Sequence, residues 1–266
     1  MIDYADVVVG LRRGDCGKQK LSNSLIKQNN YTHVVRYNGG PNAGGAVYLE
    51  KDKRIVVHAF PVGVLHKIRS IIGPGCAINV KKFFKEKSDL EADLGYSLDD
   101  IIYVAKNCHI ITDEHIAEDV ATDKVGSTKQ GICPSYRDKY ARKGAQAKDV
   151  SELKPYLIDI HDEFYNGPIN NSSRCRVLMC GAQGTFLDID WGEYPYLTSS
   201  HCNIGGAVNN GIPPQKLRKI IGAAKAYDTY VGTKQFQPEG DIWNEIARTG
   251  KEIGNTSGRT RQTGPL

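Results

Sequence analysis

No stretch of the sequence approaches 18 consecutive apolar residues, so no membrane span is expected. No C-x-x-C pair is present. The seven cysteines are scattered singly, an odd count that reads as reduced thiols rather than a disulfide framework. The same scatter argues against a zinc site. The opening Met-Ile-Asp-Tyr-Ala-Asp lacks the basic and apolar regions of a signal peptide, which makes a cytoplasmic protein the expectation. Repeats, low-complexity tracts and a clear linker are also lacking, so residues 1–266 are read as one domain. The 28 glycines show no triplet period, which excludes a collagen-like chain. The net charge of +5 is mild. It favours anionic ligands without arguing for nucleic acid. The most basic segment carries Arg12, Arg13, Lys18 and Lys20 but no interleaved aromatic, so a nucleic-acid partner is not expected.

What is present is a series of apolar runs, each ending in a polar glycine loop. Val7 to Val9 reads as a buried parallel strand closed by Gly10. The loop Gly14-Asp15-Cys16-Gly17-Lys18 follows, and then Leu21, Leu25 and Ile26 at helical spacing. Residues 32–37 read as a second strand, and 38–45 as a glycine loop at its end. Further strands are expected at 55–57, 101–104, 109–111 and 176–179, with helices at 81–93, 135–143, 152–165 and 214–225. Alternation of this kind specifies an α/β fold, with a mainly parallel central sheet and flanking helices.

The first loop has the chemistry of a phosphate site. Gly14 and Gly17 permit positive φ and let backbone N–H groups close on an anion. The helix behind them offers its positive N-terminus, and Lys18 is a point charge within reach. Asp15 suits either a Mg²⁺ ligand or a base. The loop is not a Walker A sequence, since Gln19 follows Gly17-Lys18 and Arg12 stands at the first glycine position. Arg259 and Arg261, two apart on a glycine loop, suit a carboxylate or a phosphate. As a terminal segment the same residues also read as a disordered tail.

Together these segments resemble the adenylosuccinate synthetase family. Its Gly-Asp-Glu-Gly-Lys-Gly-Lys matches Gly14 to Lys20, and its Arg-Tyr-x-Gly-Gly-x-Asn-Ala-Gly-His matches Arg36 to Gly45. His58 to Leu65, Gly126 to Arg142, Gly181 to Ser200 and Thr256 to Gly264 resemble four further motifs in order. The resemblance implies a P-loop-related α/β fold and a carbon–nitrogen ligase of purine biosynthesis. With Mg²⁺, GTP would phosphorylate the 6-oxygen of inosine monophosphate (IMP), and L-aspartate would displace that phosphate to give adenylosuccinate. It assigns Asp15 to the N1 proton and to Mg²⁺, Gly44 to Mg²⁺ through its carbonyl, and Gln183 to the base. It assigns Gly14, Gly17, Lys18, Asn42, Thr128, Thr198 and Val231 to the nucleotides, with Val231 also beside the aspartate. Thr256, Ser257, Arg259 and Arg261 go to the aspartate. Arg142 would reach the nucleotide of a neighbouring subunit, which implies a homodimer.

Several positions depart from the pattern. The His after Asn-Ala-Gly, which donates to the transferring phosphoryl group in the family, is Gly45 here. The loop Glu is Cys16, the third loop glycine is Gln19, and the Glu before Gly-Ala-Gln is Cys180. A Gln at 19 would obstruct phosphate approach if its backbone needed positive φ. Neither His58 nor His66 is an obvious substitute for the missing imidazole. The sequence stops after the Thr256–Gly264 motif, whereas family members continue into loops that recognise guanine. ATP therefore stays open beside GTP, and an uncovered sheet edge is expected. The alternatives to a compact synthetase are a non-catalytic nucleotide-binding homologue or partner of a full-length enzyme, and a phage-type 2-aminoadenylosuccinate synthetase acting on dGMP.

Overall fold

A computed structural model describes residues 1–49, 53–166, 174–254, 256 and 258–266. In chain order the strands and helices begin with β1 (Ile2–Gly10), α1 (Lys18–Gln28), β2 (His33–Arg36), β3 (Gly45–Tyr48) and β4 (Arg54–Val57). Next come β5 (Arg69–Ile72), β6 (Ala77–Ile78), α2 (Val80–Leu94), β7 (Ile102–Ala105) and β8 (His109–Ile110). Then follow α3 (Asp113–Thr122), α4 (Ile132–Tyr140), β9 (Leu157–Ile158), α5 (Ile160–Tyr165) and β10 (Cys175–Cys180). The last are α6 (Ile204–Val208), β11 (Leu217–Ala223), β12 (Asp228–Tyr230), α7 (Asp241–Thr249) and β13 (Gln262–Gly264). Among the described residues no helix is long and apolar enough to cross a membrane.

Seven strands form the central sheet in the order β11-β1-β10-β2-β5-β7-β9, and every pairing in it is parallel. The apolar runs explain this. A parallel strand is covered on both faces, so successive residues feed opposite cores. Val8, Val34 and Leu178 point into one core with residues of α1, α2 and the antiparallel β3–β4 hairpin. Val7, Val9, Val35, Val177 and Met179 point into the other, with Phe164 of α5 and Ala207 of α6. The register aligns Val8 with Cys180 and Cys180 with Arg36. The carboxyl ends of β1, β10 and β2 therefore lie side by side, and the loops leaving them (11–17, 181–187 and 38–44) share one crevice, the usual ligand position of such sheets.

Three expected helices differ from the structure. Residues 214–225 form a 3-10 turn and the edge strand β11, not a helix. The isoleucines and cations at this position pair with β1, and Arg218 bonds the buried Asp6 at 3.0 and 2.5 Å. Exposed cations on an edge strand also discourage edge-to-edge association. Residues 152–165 split into a 3-10 turn containing Pro155, the short β9 and α5, because proline cannot supply a helical N–H. The helix expected at 135–143 runs from Ile132 to Tyr140, starting after Gly131 at φ +73°.

α5 is clamped to the sheet by charge. Glu163 accepts from His33 Nε2 at 2.8 Å and from Arg69 Nε and Nη2 at 2.5 and 2.9 Å. Burial pushes its carboxyl up, but the bonds from His33 and Arg69 outweigh burial and bring it down to about 2. The stabilisation, about 3 kcal/mol, is thus complete above the ordinary Glu value and is lost as pH falls toward 2. Glu163→Gln is expected to lower the melting temperature at neutral pH and to flatten this acid dependence, as thermal melts between pH 2 and 6 would show. Burial pulls the His33 imidazole down, but Cys175 and Glu163 push it above its usual value. Its share is complete below that usual value and is lost as pH rises through the higher value of the folded chain.

Candidate active site

The first loop turns tightly: Gly14, Asp15 and Gly17 have φ of +91°, +46° and +77°. Gly14 must be glycine twice over, because a Cβ there would also lie 3.0 Å from the Gln183 backbone. Arg12 and Arg13 anchor the loop from outside. Both bond the buried Asp228, Arg13 at 2.5 Å, and both lie over the Phe186 ring. Arg12 and Arg13 are therefore tied into the fold, whereas Lys20 of the same segment is exposed.

Asp15 meets Arg261. Its Oδ2 lies 2.7 Å from Arg261 Nη1 and 3.1 Å from Lys225 Nζ. Both cations also bind the buried Glu252, at 2.6 and 2.8 Å, and the Tyr227 hydroxyl donates to Glu252 at 2.6 Å. Two carboxylates and two cations thus balance in one cluster. Arg261, which the sequence also allowed as part of a disordered tail, is buried there, and β13 just beyond it pairs with β12. For Glu252, burial raises the carboxyl, but bonds from Lys225, Tyr227 and Arg261 outweigh burial and hold it below its usual value.

Lys18, buried, donates to the Gln183 carbonyl and lies 3.6 Å from Cys16 Sγ. Gln183 itself sits at φ +52° just past β10. Its Oε1 accepts from Asn38 at 3.3 Å. Asn38 also accepts from Ala182 N–H at 2.7 Å and donates to Ser200 Oγ at 3.1 Å. The second loop rests on Arg36, whose Nε donates to the Asn38 carbonyl at 3.1 Å and whose Nη1 donates to the His58 carbonyl at 2.6 Å. Asn42 accepts from Gly40 N–H at 3.0 Å, closing the turn. A Cβ on Gly44 would lie 2.8 Å from His58 Nδ1 and 3.2 Å from Thr256 Oγ1, so Gly44, His58 and Thr256 meet.

The loop that carries Thr128 is built by two carboxylates. Asp123 Oδ1 accepts the N–H groups of Val125, Gly126 and Ser127, and Asp119 accepts from Ser127 Oγ and Gly131 N–H. Arg259 Nη2 donates to the Gly126 and Ser127 carbonyls at 2.9 and 3.1 Å. Gly126 lies against Gly232, which brings Val231 and β12 to the same loop. Thr198 N–H donates to the Leu187 carbonyl at 2.9 Å. Asp188 holds the segment after it by accepting from Cys202 and Asn203 N–H. Asp188, Asp190 and His201 are close enough to share an ion, but Asp188 already has backbone N–H groups on both oxygens. Arg142 stands apart, exposed at the end of α4 with φ +61°. Ser257 lies outside the described residues.

The structure thus joins Asp15 to Arg261, Lys18 to Gln183, Gly44 to Thr256 and Arg259 to the Thr128 loop. Sequence reading missed Lys225, Tyr227, Glu252, Asp228 and Asn38, which position those groups. Asn38 lay inside a motif already singled out. Lys225, Tyr227 and Asp228 sit in segments with no glycine loop to mark them, while Glu252 stands between Gly250 and Gly254, just before the Thr256–Gly264 motif. Gln19, a feared obstruction, lies within α1 and outside the left-handed backbone positions, so its backbone carries no such strain.

A family model for adenylosuccinate synthetase matches residues 7–157 and 150–266. The adenylosuccinate synthetase of Thermodesulfovibrio yellowstonii is 36% identical over 98% of this chain and 71% of its own length. A structure of fully ligated adenylosuccinate synthetase from Plasmodium falciparum superposes with a TM-score of 0.86 at 28% identity, over 98% of this chain and 71% of that one. The cyanophage S-2L succinoaminodeoxyadenylate synthetase, bound to dGMP and dATP, gives a TM-score of 0.79 at 19% identity over 100% of this chain and 79% of that one, a likeness of fold.

Proposed function

The chain belongs to the adenylosuccinate synthetase family of carbon–nitrogen ligases, and on that premise we propose that it joins L-aspartate to IMP at the expense of GTP. The observation that carries the reading is the cluster at the crevice. Asp15 from the phosphate loop is held by Arg261 and Lys225, and Lys18 crosses to Gln183. Few packing needs place a loop carboxylate, two cations and a positively wound Gln at the carboxyl ends of three parallel strands.

In this reading Asp15 accepts the N1 proton of the base, and Gln183 orients the base beside it. The α1 N-terminus, Gly14, Gly17 and Lys18 bind phosphate oxygens. Asn42, Thr128, Thr198 and Val231 surround the nucleotides. Thr256, Ser257, Arg259 and Arg261 take the aspartate, whose two carboxylates suit guanidinium groups. The Asp15 carboxylate and the Gly44 carbonyl are hard oxygen donors that suit Mg²⁺ together with substrate phosphates. When bound, Mg²⁺ neutralises charge on the phosphoryl oxygens. The exposed Arg142 is free of the crevice and would serve the site of a second copy in a homodimer.

Mass spectrometry of one mixture tests the proposal: purified protein with Mg²⁺, L-aspartate, GTP, ATP, IMP and dGMP. The expected product is adenylosuccinate. The deoxy 2-amino product instead would move the substrate assignment to dGMP. No succinylated purine from folded protein would leave a nucleotide-binding homologue or a partner of another synthetase chain.

A further inference from the structure

Three positions at which the sequence departs from the family pattern meet in space. Gln19, in the first turn of α1, is 8% exposed. Cys180, at the end of β10, has its Sγ 3.8 Å from Gln19 Oε1. A Cβ added to Gly45, at the start of β3, would fall 2.2 Å from Gln19 Cγ and 2.9 Å from its Cβ. Contacts that short do not occur, and the clash is with the root of a buried side chain, which cannot swing aside as a flexible tip would.

The pattern has large side chains at 45 and 180 and none at 19. This chain has none at 45, a small one at 180 and a long one at 19. We propose that these are one exchange: Gln19 fills the volume that a side chain at 45 would occupy, and its amide is the hydrogen-bond donor offered there to a nucleotide phosphate. Burial pushes the Cys180 thiol up, so it stays protonated, with Gln19 Oε1 at 3.8 Å and the Gly181 carbonyl at 3.9 Å as its acceptors. Gln19 Oε1 faces Cys180, and among the described residues the amide nitrogen on the other arm of the carboxamide donates to no group. A carboxamide does not titrate, so it would stabilise phosphoryl charge without giving up a proton. This rests on the ligase reading and adds to it how the crevice works without an imidazole at 45.

The test has two readouts that need no turnover. The first is a melting cycle over Gly45→His, Gln19→Gly and the double variant. Gly45→His overpacks the site and is expected to melt about 4 °C or more below the native chain. The double variant is expected to recover most of that loss. Additive changes would overturn the exchange. The second is calorimetric affinity for GTP with Mg²⁺. Gln19→Leu keeps the volume and loses the amide; it is expected to melt like the native chain and to bind about tenfold more weakly or worse. Unchanged affinity would overturn the donor role alone. A native chain that bound neither GTP nor ATP in the same titration would overturn that role together with the ligase reading, while the melting cycle would still decide the exchange.

Discussion

Replacing Asp15 by asparagine is expected to slow adenylosuccinate formation by about 10²–10⁴-fold, the usual effect of losing a positioned proton acceptor. The substitution is chosen for the backbone. Asp15 sits at φ +46°, and asparagine tolerates the left-handed region as aspartate does, so the loop keeps its turn. Shape is preserved, and only the charge and the ability to take a proton are lost. The cost to folding is small. Asp15 is 35% exposed in its side chain, and Arg261 and Lys225 keep their bonds to Glu252. The expected result is therefore a nearly native melting temperature, little change in KM for IMP and a collapse of kcat, read by quantifying product and by thermal melts. Native kcat in the Asp15→Asn variant would remove Asp15 from the chemistry.

The parts of this site that were legible in the sequence share one property. Loops such as Gly14–Gly17 and Asn38–Gly44 are too rich in glycine to pack as regular elements, so their polar residues had to serve something else; Gly45, read with the second loop, instead opens β3. The buried strands were legible too, because Val7 to Val9 and Arg176 to Met179 are short apolar runs followed by such loops. β11 was not. Leu217 to Ala223 mixes cations with isoleucines, and pairing with β1 overrides a pattern that reads equally well as a basic helix. Glu252 was illegible for a different reason. Its importance lies in meeting Lys225, Tyr227 and Arg261, and such a convergence is a property of the folded chain rather than of any local spacing. The coupling of Gln19 to Gly45 lies between these cases. Each departure is visible alone, but only the packing of α1 against β3 shows that one requires the other.

Glu252→Gln is expected to be the most destabilising single change in the crevice. The side chain is 5% exposed, and its partners Lys225 and Arg261 are only 17% and 9% exposed. Removing one charge from such a group leaves the others under-compensated, at about 3–5 kcal/mol for a buried pair. The remaining carboxylate, Asp15, is the more exposed one and would have to balance both cations. Arg261 would then be drawn toward the phosphate loop and away from the position proposed for the aspartate carboxylate. A rise in KM for L-aspartate of about tenfold or more is expected, with a smaller change for IMP. The pH signature separates this from a general loss of packing. Because the Glu252 carboxyl lies below its ordinary value in the folded chain, its stabilisation is complete above the unfolded value and is lost as pH falls through the folded one. Melts of the native chain should therefore show an acid-dependent loss that the variant lacks. Equal acid slopes and an unchanged KM for L-aspartate would mean that Asp15 alone fixes Arg261. In that case the phosphate loop, and not the buried carboxylate behind it, would set where the aspartate binds.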